Sequence, residues 1–143
     1  SASALGPSLP HKGGGFNLRL YMNDALHIVH ALAPASIDGL YVLNPDPWPK
    51  KKHHKRRIIS DENLVAFARV LRPGGTLTLS TDVQDYTEWM IEHLARAAAL
   101  FTPSDATARD PHTPPEDWPL ITRYMDKGVK AGRQPYYLVY RRK

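Results

Sequence analysis

The stretch NPDPWPKKKHHKRR, Asn44 to Arg57, comes directly after a short apolar run, DGLYVL at residues 38–43. The apolar run reads as a strand of the fully buried kind. Prolines at positions 45, 47 and 49 forbid both helix and strand in the segment after it. The chain therefore leaves the strand as a stiffened loop, and fixed φ angles hold Asp46 and Trp48 in place at little entropic cost on binding. From Lys50 to Arg57 every residue is cationic or histidine. Taken singly, such a charge run is a solvated face, Asp46 a turn residue and Trp48 a core anchor. Joined to a stiff strand end that carries an acid and an aromatic, the run points to a polyanion. His53 and His54 are adjacent and lack any further ligand pattern, which makes a poor zinc site, so no metal is expected.

On the N-terminal side, Ser1–Gly15 is rich in Ser, Ala, Gly and Pro, has no periodicity, and is expected to be tail or loop. Residues 16–143 are expected to form a single domain. Asn17 to Asn23 alternates as a strand does, and Asp24 can cap a helix running to Pro34. Ser60 and Asp61 offer an N-cap to a second helix, with Leu64, Phe67, Ala68 and Leu71 at helical spacing. Arg72-Pro73-Gly74-Gly75 ends that helix, Thr76 to Ser80 is a strand closed by Thr81-Asp82, and Tyr86 to Leu100 is a long helix. Pro103 to Pro119 is a polar, proline-rich loop. Arg123 to Gly132 fits neither period clearly, and Tyr136 to Tyr140 is a last strand with a basic tip. Alternation of strand and helix predicts an α/β fold with a largely parallel sheet. Ligands bind such sheets at the carboxyl ends of the strands, which is where Asp24, Asn44 to Trp48, and Asp82 fall.

Composition narrows the partner. The 143 residues carry 19 Lys and Arg against 14 Asp and Glu. Two segments concentrate the positive charge, Lys50 to Arg57 and Arg123 to Lys143, and clustered charge of this kind favours nucleic acid. With 42% hydrophobic residues the chain can bury a core. No apolar run is long enough to span a membrane, and residues 1–15 do not read as a signal peptide. There is no cysteine, which fits the reducing cytoplasm. Oligomeric state, monomer or homodimer, is not specified.

The string PDPWPKKKHHKRR closely resembles the motif of bacterial tRNA (guanine-N7)-methyltransferases. RVLRPGGTLTLSTDVQDYTEWM is similar to that family's strand, Thr-Asp turn and helix, and ITRYMDKG to its C-terminal segment. The resemblance covers roughly Asn17 to Arg142. It implies a class I, Rossmann-like fold that uses S-adenosylmethionine, and a tRNA partner. It places Asp24 and Asn44 in the cofactor site and Asp46 between cofactor and target base. It gives Lys50 and Asp82 to substrate, Lys52, His53, His54, Lys55, Arg56 and Arg57 to RNA, and Thr122, Arg123 and Tyr124 to the substrate wall. Two departures stand out. Met125 replaces a usual glutamate and cannot accept hydrogen bonds from a guanine edge. The family's opening Glu-x-Gly-x-Gly strand-turn and the acidic strand after it have no counterpart, and Gly13-Gly14-Gly15 is not that loop. The fold is therefore expected without its first two strands, leaving the Leu18 strand without its usual neighbour.

Guanine N7 is an exposed lone pair at neutral pH, so methylation there requires no general base. In-line transfer gains most from alignment of the reactants, and a carboxylate such as Asp46 can stabilise the cationic ring as it forms. Asp46 and Asp82 are acceptors suited to guanine's donors, and the target must be drawn from its stack. The basic segments would hold phosphates without reading sequence. Two other readings remain open. One is an amino-group methyltransferase acting on adenine or protein, for which Asn44 to Trp48 is a faint likeness spoiled by the interposed Asp46. The other is a non-catalytic tRNA-binding fragment or subunit. If the basic run neutralises six phosphates, the log–log salt slope of tRNA affinity should be roughly −4 to −5. A titration giving a nearly flat slope would remove the RNA-grip reading.

Overall fold

The computed structural model describes residues 8–10, 16–105, 110–116, 118 and 122–143. Gly13-Gly14-Gly15 and Ile121 lie outside them. The chain divides into two compact units, Ser1–Ala33 and Pro34–Lys143, where the sequence suggests one domain over residues 16–143.

In the first unit β1 (Ser8–Pro10) pairs antiparallel with β2 (Phe16–Arg19), Leu9 opposite Leu18. Ser8–Pro10 is thus a strand and not the loop expected of it. The Leu18 strand finds its partner in the preceding segment, and the two make a sheet of their own. Helix α1 (Ala25–Ala31) starts as anticipated, with the Asp24 carboxylate accepting from the Leu26 N–H at 2.9 Å.

The second unit is a four-stranded sheet with the spatial order β3 (Ile37–Leu43), β4 (Leu71–Thr81), β6 (Tyr136–Arg142), β5 (Phe101–Pro103). The α/β reading holds, but the largely parallel sheet does not. Only β3 and β4 run parallel, joined through α2 (Asp61–Val70), whereas β6 is antiparallel to both its neighbours. Parallel neighbours require a crossover helix. β6 arrives after the other strands and can enter between β4 and β5 in the opposite sense. β5 was not foreseen, because three residues ending in Pro103 carry too little pattern. They pair only with the β6 edge, where a missing N–H is tolerated.

The core lies around β4 and its helices. Leu77 and Leu79 on β4, Leu138 on β6, Leu64, Phe67 and Val70 on α2, and Tyr86, Met90 and Leu94 on α3 (Gln84–Arg96) are all essentially without solvent contact. Each such side chain contributes roughly 1.5–3 kcal/mol through burial. β3 departs from the fully buried expectation: Leu40 and Val42 are half-buried while Tyr41 and Leu43 are exposed. It is an edge strand, and no strand flanks its outer side among the described residues.

Local signals fix the ends of the elements. Ser60 Oγ accepts from Asn63 N–H at 3.1 Å at the start of α2. Thr81 Oγ1 accepts from Val83 N–H, closing β4 before α3. The ambiguous C-terminal stretch is helix α4 (Arg123–Lys130), capped by Thr122, whose hydroxyl accepts from Met125 N–H. Between Leu71 and Thr76 the register of β4 against β3 is irregular, and Gly74 there has φ +81°. A Cβ on Gly75 would lie 2.9 Å from two backbone carbonyl oxygens, those of Arg72 and Asp38. Neither oxygen can move without displacing a strand. Gly75→Ala should therefore cost roughly 1–3 kcal/mol, read from its urea midpoint. An unchanged midpoint would show that the turn is free to relax.

Candidate active site and nucleic-acid interface

The parallel register sets Leu43 opposite Ser80, and Asn44 N–H donates to Ser80 O at 2.8 Å. The carboxyl ends of β3 and β4 are thereby pinned together, and the Asn44 loop and Asp82 leave the sheet on the same side, as anticipated. Asp24 belongs to the first unit. The backbone is bent left-handed at both ends of the proline segment, with φ +46° at Asn44 and +42° at Trp48. Asparagine tolerates this region, whereas a bulky tryptophan is strained there. Asn44 Oδ1 is buried without a hydrogen-bond partner, so the loop carries an unsatisfied acceptor at its base. Beyond it Asp46 is exposed. Pro45, Asp46, Trp48, Arg56 and Ile58 line one open concavity.

The basic run is not a loose tail. Lys51–Arg56 forms a 3₁₀ helix, and its residues divide into two groups. Lys50, Lys51, Lys52 and Lys55 are exposed, and no carboxylate pairs with them among the described residues. Arg56 is also exposed and lies with Cζ 4.9 Å from the Trp48 ring centroid, a cation–π contact that leaves its charge available. His53 and His54 are half-buried. His53 meets Trp48 edge-on at 5.9 Å, and His54 meets Trp89 at 5.3 Å. Trp89 is held in turn by its indole N–H to Ile59 O at 2.8 Å and by stacking on His93.

Arg57 corrects the sequence reading. Expected to grip RNA with its neighbours, it is 2% exposed, and a guanidinium so enclosed reaches no phosphate. Its Nε donates to Pro47 O at 2.7 Å and its Nη2 to Asp85 Oδ2 at 2.6 Å. Its plane lies near the rings of Tyr86 and Trp89, with Cζ 4.7 Å and 5.0 Å from their centroids. Burial pushes the Tyr86 phenol above its ordinary range.

Asp82 is buried at the end of β4, and its Oδ2 accepts from Arg133 Nε at 2.8 Å. A Cβ on Gly128 would lie 2.7 Å from that same oxygen. Asp82 is therefore the point to which α4 is fastened, and Arg133 is a participant that the sequence did not disclose, 51 residues away from its partner. On α4, Arg123 and Tyr124 are exposed, while Thr122 spends its hydroxyl on the cap. Met125, where a glutamate was expected, is 3% exposed and packs into the core. No cluster that could hold a metal ion is found among the described residues, nor is any helix there long and apolar enough to cross a membrane.

Comparison with known proteins bears on the family. A family model described as "Putative methyltransferase" matches residues 9–138. A protein of Mesorhizobium japonicum named tRNA (guanine-N(7)-)-methyltransferase is 46% identical over 127 residues, which is 89% of this chain and 54% of that protein. Proteins of the same name from Agrobacterium fabrum and Rhizobium meliloti are each 44% identical, over 89% and 88% of this chain and 54% and 53% of theirs. The chain spans about half the length of the curated relatives it matches. A SAM-dependent methyltransferase from Archaeoglobus fulgidus superposes with TM-score 0.45 at 10% identity, covering 92% of this chain and 70% of that one, a likeness too slight to bear weight.

The two groups of cations should respond differently to truncation. Arg57→Ala removes two charged hydrogen bonds from a buried site and should cost about 3 kcal/mol. Lys51→Ala should change stability by no more than about 0.5 kcal/mol. Equal denaturation midpoints for the two variants would contradict the burial of Arg57.

Proposed function

Because the chain belongs to the tRNA (guanine-N7)-methyltransferase family, we propose that it carries the catalytic, RNA-facing part of an enzyme that transfers a methyl group from S-adenosylmethionine to N7 of a variable-loop guanine in tRNA. The observation that carries this reading is the joining, in one continuous segment, of Asp46 beside a concavity to a row of exposed cations with no carboxylate partner among the described residues. A cytoplasmic setting follows from that substrate.

The donor set suits the cofactor that the family implies. Asn44 Oδ1, buried and unpartnered, and the Asp46 carboxylate are acceptors at a strand end, and they match a cationic molecule rich in donors. Asn44 and Asp46 would hold it. When bound, S-adenosylmethionine supplies an electrophilic methyl group on a sulfonium. Guanine N7 brings its own lone pair, so Asp46 serves as an electrostatic stabiliser of the positive charge reaching the purine, not as a base. Asp82 offers an acceptor to guanine's donors, held in orientation by Arg133. Lys50, Lys52, Lys55 and Arg56 hold phosphates, with His53 and His54 shaping the platform from which these cations project. Thr122, Arg123 and Tyr124 at the start of α4 form the opposing wall.

Incubation with labelled S-adenosylmethionine and unmodified tRNA, followed by mapping of the label, tests the proposal. Label at N7 of a variable-loop guanine, reduced at least about 100-fold in Asp46→Ala, is the expected result. Label on an exocyclic amine would favour an amino-group methyltransferase. tRNA bound at low salt with no label would make the chain a non-catalytic binding portion.

A further inference from the structure

We propose that Arg57 is the positioning residue of this site, holding Asp46 and Trp48 in register with the phosphate-binding cations through the Pro47 carbonyl. The proposal deepens the reading given under Proposed function and rests on it. Pro47 stands between the acid and the aromatic, has no N–H of its own, and offers only its carbonyl to the protein. That carbonyl accepts from Arg57 Nε at 2.7 Å, across ten residues of sequence. The peptide it belongs to leads into Trp48, whose φ of +42° is a left-handed conformation a tryptophan does not choose. Rotation of this peptide is the natural way for the strain to relax, and rotation would swing the Pro47 oxygen away from Arg57. The hydrogen bond therefore opposes the relaxation, and the strained turn persists because a buried guanidinium over-determines it.

The guanidinium is itself fixed from three sides. Asp85 on α3 takes Nη2 at 2.6 Å, and the rings of Tyr86 and Trp89, also on α3, lie within 5.0 Å of Cζ. Helix α3 is anchored in the core by Met90 and Leu94. Arg57 also terminates the 3₁₀ helix, its N–H donating to His54 O at 3.0 Å. One side chain thus ties the acid-bearing loop at Pro47, the end of the cationic helix, and α3 into one body. RNA docked by its phosphates on Lys52, Lys55 and Arg56 then meets Asp46 at a fixed offset. Displacement of a reacting geometry by about 1 Å costs up to about 100-fold in rate. Arg57 touches neither phosphate nor base, so its effect should fall on kcat and not on RNA affinity.

Arg57→Lys is the principal variant, since an ammonium lacks the rigid fork that serves Pro47 and Asp85 together. Asp85→Asn is the second, because Asp85 is 64% exposed and its loss loosens the fork without emptying the core. Three readouts are taken on the full chain: the indole N–H resonance of Trp48 without ligand, steady-state methyl transfer to tRNA, and the salt dependence of tRNA binding. The expected result is a displaced Trp48 resonance and a kcat lowered about 10- to 100-fold, with tRNA Kd and salt slope unchanged because no phosphate contact is lost. A folded Arg57→Lys or Asp85→Asn protein with wild-type Trp48 resonance and wild-type kcat would overturn the proposal, as would a changed salt slope. If the wild-type chain transfers no methyl group, the functional reading fails separately, and the Trp48 resonance alone decides whether Arg57 positions the loop. Should Arg57→Lys not fold, Asp85→Asn decides by the same readouts.

Discussion

A guanidinium removed from water must have its donors occupied and its charge balanced, or it will not stay buried. At Arg57 that requirement organises the loop after β3 and its contact with α3. Pro47, Asp85, Tyr86 and Trp89 come from a loop and a helix, and they converge because one cation demands them. Nη1 of the same group is buried without a partner, a residual cost that the neighbouring bonds and rings offset. Arginine suits the place better than lysine, for a planar fork can donate in two directions while lying against aromatic faces.

From that point the site follows from the sheet. Parallel pairing of β3 with β4 puts the two strand ends side by side, and the Asn44–Ser80 bond carries the pairing one step past the strand. The proline-stiffened loop and Asp82 then leave from a common edge. Antiparallel entry of β6 brings its chain back beside β4, after α4 has been fastened to Asp82 by Arg133. The tight approach of Gly128 to Asp82 leaves no room for any side chain at that step of α4. Met125 fits the same logic. On the inner face of α4 it serves packing, while Arg123 and Tyr124 stay exposed.

Much of this was legible before folding was considered, where the signal was local. Asp24, Ser60 and Thr81 are short polar side chains at the starts or ends of periodic runs, and each makes the backbone hydrogen bond its position suggests. The prolines at 45, 47 and 49 kept the loop irregular for a reason that needs no tertiary partner. Signals failed where the deciding contact was distant. Thr122 caps α4, yet the helix behind it is only 8 residues long and contains Gly128, too short a run to stand out along the sequence. β5 exists only because β6 offers an edge. Ser8–Pro10 has no strand pattern and is drawn into pairing by β2. β3 looked buried by composition, but burial of a strand depends on what lies beside it, and β3 lies at an edge.

Sequence alone was enough for the types of the longer elements up to α3, the stiff loop after β3, the clustering of positive charge and the kinship with tRNA (guanine-N7)-methyltransferases, since these depend on neighbours along the chain. It could not separate Arg57 from Arg56: the two are identical in chemistry and adjacent in sequence. Folding in three dimensions did that, because the turn that ends the 3₁₀ helix points one guanidinium into α3 and leaves the other over Trp48 in solvent. The direction of β6, the Asp82–Arg133 tie and the inward face of Met125 were settled in the same way, by contacts between residues far apart in the chain that no local period encodes.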